Sequence, residues 1–303
     1  MNGLISIFAV SAMSAVDGPG RRVVVFFQGC DVNCAWCHSP HSRASCSPLI
    51  FHEHGCSMCM RCRAACERNV HKFKDGKHLV QRERCQQCGK CIEACPESSV
   101  YKESGVLRLP TRKLTADALL TQVLPYLSLC DGITLSGGEA LLQDDTLRFL
   151  RLCREEGIHT CVETSGLLES DRYVQTLPFV DVWLFGMRVL TDNDLRFHTD
   201  KIIENARIIG KAAKNIIPVV PLVPGVMNRS DVLAQIILVL NVIGAVEIQL
   251  NPWNRSYDVY YASSGIKPVF PRPSEEAIEK CENEVRAFFM ERGYKLIERR
   301  AGK

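Results

Sequence analysis

Gln28-Gly29-Cys30-Asp31-Val32-Asn33-Cys34-Ala35-Trp36-Cys37-His38 is the stretch around which this chain of 303 residues is organised. Its cysteines follow a C-x3-C-x2-C spacing. Thiolates are the ligands of iron–sulfur clusters, and a [4Fe–4S] cubane takes four of them. Three close cysteines without a local fourth point to a cluster with one iron left open. An open coordination position marks a catalytic metal centre rather than a closed structural one. Asp17-Gly18-Pro19-Gly20-Arg21 and the apolar run Val23–Phe27 come just before, which places the triad on the loop leaving a strand. A zinc site or three buried thiols is the plainer alternative.

Working outward, 46% hydrophobic residues allow one large core, or one core and a small satellite. A net charge of +3 lacks the concentrated basic character of a nucleic-acid binder. Sixteen cysteines are a large excess, and their clustering in short C-x2-C runs points to metal and a reducing compartment rather than disulfides. The apolar segment Leu4–Val16 could pass for a signal peptide, but no Lys or Arg precedes it. At about thirteen residues it is too short to span a bilayer. Leu4–Val10 therefore reads as a lead-in strand, and the expected location is the cytoplasm, with no membrane partner.

From Ser39 to about Tyr101 the chain is polar and cysteine-rich, with two near-copies of one pattern. The first is Cys56-x2-Cys59-x2-Cys62-x3-Cys66. The second is Cys85-x2-Cys88-x2-Cys91-x3-Cys95-Pro96. This is the bacterial ferredoxin spacing, in which the fourth cysteine of each run serves the other run's cluster. By that rule Cys56, Cys59, Cys62 and Cys95 hold one [4Fe–4S] cluster, and Cys85, Cys88, Cys91 and Cys66 hold a second. Structural zinc is the alternative. Glu67 stands where the second run has Pro96. A region this small has little core of its own, so metal would supply much of its folding energy. Cys46, Cys130, Cys153, Cys161 and Cys281 read as ordinary thiols.

Beyond Leu114, helical and strand patterns alternate, the mark of β/α units on a parallel sheet. Strands are expected at Gly132–Leu135, Ile158–Thr164, Val180–Phe185, Ile216–Val223 and Val246–Leu250. Helices are expected at Thr115–Leu124 (ending near Pro125), from Asp144 or Asp145 to Glu156, at Asp200–Lys214 and at Ser230–Val242. A last helix starts at Ser274 as N-cap and stops at Gly293. With Val23–Phe27 this makes six β/α units. Functional residues of such sheets gather at the carboxyl ends of the strands, which is where the triad lies. The second strand ends in Ser136-Gly137-Gly138-Glu139-Ala140, and the third in Glu163-Thr164-Ser165-Gly166.

The triad, the SGGE turn and the acidic-Thr-Ser-Gly segment together resemble the radical S-adenosylmethionine (radical SAM) superfamily. Within it they resemble the glycyl-radical-enzyme activating enzymes, of the pyruvate formate-lyase activating type, in the subgroup with a two-cluster ferredoxin-like insert. The resemblance runs from Asp17 to about Asn254. It implies a partial (β/α)6 TIM-like barrel carrying a 2[4Fe–4S] insert, divided as residues 1–40, 41–104 and 105–303. It implies Cys30, Cys34 and Cys37 as ligands of the catalytic cluster, for three [4Fe–4S] clusters in all. Gly137, Gly138 and Glu139 are implied to contact the methionine end of S-adenosylmethionine, Glu163 and Ser165 to flank it, and Trp36 and His38 to lie near the adenine.

The resemblance further implies a reaction. S-adenosylmethionine is reductively cleaved to methionine and a 5′-deoxyadenosyl radical, which abstracts hydrogen from a backbone glycine of a partner glycyl radical enzyme. The cofactors carry that chemistry, so no general base or nucleophile is nominated. A flavodoxin or ferredoxin is the expected electron donor to a monomer, with the insert as relay. Three positions depart from the family. Gly186-Met187-Arg188 replaces Asp-x-Lys, with Arg188 keeping a cation of different shape. Val219 stands for an arginine, and Asn254 for a histidine. These changes leave the cluster chemistry in place and keep a different peptide or small-molecule target open.

Overall fold

The computed structural model describes residues 3–99, 105–188, 195–212 and 215–298. Strand β1 (Ile5–Ser14) begins on alternation, with Ile5 and Ile7 fully buried, and runs on past the expected Val10. It pairs antiparallel with β2 (Arg22–Phe27), whose Val23, Val24, Val25 and Phe27 are fully buried. The short strands β3 (Ile50–Phe51), β4 (His71–Lys74), β5 (Lys77–Val80) and β6 (Leu107–Arg108) belong to the cysteine-rich region and its base. Then come β7 (Arg112–Leu114), β8 (Gly132–Gly137), β9 (Thr160–Thr164), β10 (Val182–Gly186), β11 (Asn215–Pro221), β12 (Glu247–Asn251) and β13 (Lys295–Glu298).

One sheet runs in the order β13-β12-β11-β10-β9-β8-β2-β1-β7. From β2 to β13 all neighbours are parallel, while β1 and β7 close one edge antiparallel. The six expected strands are all present, in sequence order across the sheet. Continuous buried runs such as Val182–Gly186 made them readable, as parallel strands covered on both faces are. β13 is a seventh; its four residues, Lys-Leu-Ile-Glu, give no periodic signal.

The helices follow their caps. Ser274 Oγ accepts the Ala277 N–H at 3.1 Å and starts Glu275–Glu291. Thr115 Oγ1 accepts the Ala118 N–H at 3.2 Å and starts Ala116–Leu127. That helix passes through Pro125, because a proline in the last turn forfeits a single backbone bond. Thr146–Glu155 has Asp145 at its N-cap position, yet the carboxylate accepts from Gly3 N at 3.1 Å instead of capping. Leu195–Lys211 starts earlier than the expected Asp200, and residues 213–214 of that expected helix lie outside the described residues. Ser170–Thr176 and Tyr257–Ser264 are additional helices, both too short to announce themselves.

In the cysteine-rich region the sequence repeat is also a backbone repeat. Met58 and Met60 in the first run, and Gln87 and Gly89 in the second, adopt left-handed φ values of 56°, 59°, 58° and 81°. Each second left-handed residue starts a one-turn helix, Arg61–Ala65 and Lys90–Ala94. Three of these four lack the freedom of glycine, at about 1–2 kcal/mol each. Local preference does not select that backbone; the wrapping of each C-x2-C-x2-C segment does.

Candidate functional site

The triad loop is anchored to the chain that follows it. Buried Gln28 donates from Nε2 to His41 O at 2.8 Å and Ala44 O at 2.7 Å. Gly29 N donates to Ser42 O at 2.7 Å, and Cys30 N to Arg43 O at 2.9 Å. Gly137 and Gly138 are needed because the end of β8 lies against the end of β2. A Cβ on Gly138 would sit 2.1 Å from Gly29 O, and one on Gly137 2.6 Å from Phe27 N. The close approach they permit is thus first to neighbouring backbone, which draws the triad loop against the SGGE turn.

Cys30, Cys34 and Cys37 line a cavity of about 640 Å³ at the carboxyl ends of the parallel strands. Of the expected site residues, Trp36, His38, Gly137, Gly138, Glu163, Arg188 and Asn254 line it too. Glu139 and Ser165 are buried but do not line it; Glu139 Oε2 accepts from Ser165 N at 2.8 Å and Ser165 Oγ at 2.7 Å. Glu139 Oε1 is buried without a partner, and burial raises the carboxyl pKa. Asn254 Oδ1 takes the Ser256 N–H at 2.9 Å, so its carboxamide closes a local turn.

A charged layer crosses the cavity floor. Ser136 Oγ donates to Glu163 Oε2 at 2.6 Å, and Arg188 Nη2 reaches Glu163 Oε1 at 3.2 Å. Burial alone would lower the Arg188 pKa, but Glu163, Cys34, Glu139 and Cys30 together raise it. Burial pushes the Cys30 thiol up to about 12, with Glu139 adding to it, and likewise raises Cys34. Buried thiols of this kind become thiolates when a metal cation replaces the proton. Missing from the sequence reading were Trp253 and Tyr257, also on the cavity wall, and Phe270 behind them. Phe270 packs edge-on against Trp36 at a centroid distance of 6.5 Å, and Trp253 packs against Phe270 at 5.8 Å and against Tyr257 at 5.0 Å. No spacing signal links them to the triad.

In the insert, Cys66, Cys85, Cys88 and Cys91 line one cavity of about 190 Å³. Cys66 of the first run thus shares a cavity with three cysteines of the second. Burial, followed by Cys85, Cys66, Cys62 and Cys88, pushes the Cys91 thiol up to about 12. The other set behaves alike: burial, then Cys56, Cys95 and Cys59, pushes Cys62 up to about 11. Four sulfurs close enough to repel one another as thiolates suit a cationic cluster. Cys46 stands apart and donates to Gln87 Oε1 at 2.7 Å.

Residues 48–96 match the family described as "4Fe-4S dicluster domain". The isethionate sulfite-lyase activating enzyme of Oleidesulfovibrio alaskensis is 33% identical over 82% of this chain and 83% of its own. The chain belongs to the radical SAM activating enzymes of glycyl radical enzymes. Other members are similar at the same level. The isethionate sulfite-lyase activating enzyme of Nitratidesulfovibrio vulgaris is 31% identical over 82% of this chain and 83% of its own. The trans-4-hydroxy-L-proline dehydratase activating enzyme of Clostridioides difficile is 28% identical over 87% and 90%. This activase is accordingly an oxidoreductase that uses [4Fe–4S] chemistry and S-adenosylmethionine to place a radical on a glycyl radical enzyme. Among the described residues no helix is long and apolar enough to cross a membrane.

Proposed function

We propose that Cys30, Cys34 and Cys37 hold a [4Fe–4S] cluster with one open iron, and that S-adenosylmethionine occupies the cavity they line. The observation that carries this reading is the convergence of all three thiols with Gly137, Gly138, Glu163 and Arg188 on one cavity of about 640 Å³. When bound, the cluster supplies the electron that cleaves S-adenosylmethionine, and the radical so made takes hydrogen from a glycine of the partner. The chain's own residues bind and orient. Gly137 and Gly138 leave the strand end open to a ligand. Arg188, fixed by Glu163, offers a cation to an anionic group. Trp36, His38 and Asn254 line the same cavity. Glu139 and Ser165 brace the SGGE turn from behind and reach the ligand only through it.

Two further clusters belong to the insert, Cys56, Cys59, Cys62 and Cys95 for one and Cys85, Cys88, Cys91 and Cys66 for the other, making three. They pass electrons inward from a flavodoxin or ferredoxin. The chain divides into residues 1–40, 41–104 and 105–303, and β2 and β8–β12 form the partial (β/α)6 barrel. A cavity bordered by six successive strand ends supports that curvature. The activase acts as a cytoplasmic monomer.

Anaerobic reconstitution tests this reading. Three clusters predict about twelve irons per chain, 5′-deoxyadenosine on reduction, and a glycyl radical signal by EPR with a matched partner. About eight irons would remove one cluster. Cleavage without a glycyl radical on any candidate partner would favour a peptide or small-molecule target. Full turnover with the physiological reductant after Cys59→Ala and Cys88→Ala would remove the relay.

A further inference from the structure

The insert carries two buried histidines that neither proposed cluster set uses, although with Cys62 their ligand atoms lie within 4.8 Å of one another. His71 on β4 and His78 on β5 are 1% and 5% exposed, and sit diagonally across the hairpin. His78 Nδ1 lies 3.4 Å from Cys56 Sγ, and its Nε2 lies 3.9 Å from Cys62 Sγ and 2.9 Å from His71 Nδ1. The His78 ring is held flat against Phe73 at 4.3 Å and tilted against Phe51 at 4.4 Å. His71 Nε2 is buried with no partner.

We infer that His78 donates a hydrogen bond to the Cys56 sulfur and so tunes the reduction potential of the cluster held by Cys56, Cys59, Cys62 and Cys95, with His71 fixing its tautomer. The inference rests on the ligand reading above. A thiolate cannot donate, so the proton between Cys56 and His78 must sit on Nδ1. Nε2 is then an acceptor and takes the proton of His71 Nδ1, which leaves His71 Nε2 as a bare lone pair. The opposite tautomers would bury an unpartnered His71 N–H, the costlier orphan. A hydrogen bond to a ligand sulfur favours the more negative, reduced cluster and raises its potential. The other insert cluster has no histidine at its sulfurs among the described hydrogen bonds; Gln87 N meets Cys85 Sγ at 3.4 Å. The two repeats, alike in backbone, are therefore electronically unequal, and His78 favours electron acceptance at its own set.

The test is an EPR-monitored redox titration of the reconstituted full-length protein. His78→Phe keeps the ring stack and removes the donor. It should lower the reduced-to-oxidised ratio of one insert cluster about tenfold at fixed potential, 59 mV for a one-electron couple. The other two clusters should not move. His78→Asn, which returns an N–H near Nδ1, should recover most of the shift, and His71→Phe should give a smaller shift of the same sign. An unmoved midpoint in His78→Phe with about twelve irons retained overturns the inference, as does an equal shift of both insert clusters. Should His78→Phe lose iron, His71→Phe decides, since His71 bonds no cysteine; no shift there overturns it. About eight irons in the parent protein would instead remove the ligand reading, and this inference with it.

Discussion

Around the parallel sheet the buried set is mostly aliphatic and aromatic, from Ile5 and Val25 through Phe149 and Trp183 to Phe289, with Cys34, Cys153 and Cys281 a small minority. In the insert it is Leu49, Phe51, Val70, Val106 and Leu107 together with Cys62, Cys91 and Cys95. The sheet region is held by apolar burial. The insert places cysteines where a core would be, so on the proposed ligand reading its folding and its metal loading are expected to be one event. The same element thus plays two parts. On that reading, the three triad cysteines sit on a loop beside an apolar core, whereas the eight cysteines of the two runs stand within and around the insert's own small core.

The sharpest way to break that comparison is Cys34→Ala. It should abolish S-adenosylmethionine cleavage while iron falls from about twelve to about eight per chain and the sheet stays folded. Loss of insert iron as well would join the two regions more tightly than described. Iron removal by a chelator comes next. Hydrogen exchange should show loss of protection across residues 56–95 and retained protection in β2 and β8–β12; uniform loss would contradict the division of labour.

Arg188→Met removes the ion pair that Arg188 makes with Glu163. A stability loss of about 1–3 kcal/mol is expected by denaturant titration, with weaker ligand binding by calorimetry and an unchanged iron count. His41, packed edge-on against Phe8 at 4.9 Å, has its pKa pushed down to about 4 by burial, then by Arg108 and His38. A depressed histidine opposes folding once protonated, so stability is full above the ordinary value near 6.5 and falls as pH drops toward 4. Between pH 7.5 and 5 the loss should be about 2 kcal/mol, and His41→Phe should remove that slope. Smallest is Ser274→Ala, which deletes a helix cap in the sheet region. About 1 kcal/mol should disappear in denaturant titration, with no change in iron or cleavage.

Legibility followed the range of each interaction. The triad, the two ferredoxin runs and the SGGE turn are local patterns, and six parallel strands showed as buried apolar runs. Contacts made across the fold left no trace. Ser165 answers Glu139 from the next strand, so neither residue's own segment shows that the pair faces away from the cavity. Gly137 and Gly138 read as ligand contacts, yet what crowds them is the backbone of Phe27 and Gly29. Trp253 and Phe270 join Trp36 from distant segments. The Asp145 cap failed for the same reason, since Gly3, far off in sequence, competes for its carboxylate.

The base of the insert bears on modularity. β3 pairs with β6, and Ile50 and Arg108 of that ribbon line the cavity that holds the cysteine triad. Arg82, inside the insert, donates to Leu49 O at 2.8 Å and to Ser263 O at 2.7 Å, at the end of the helix bearing Tyr257. A cassette cut at residues 41 and 104 would sever this ribbon and take part of the cavity wall with it. Exchange of inserts between activases has its natural seam beyond Arg108, and a transplanted insert must bring its own counterpart of Arg82.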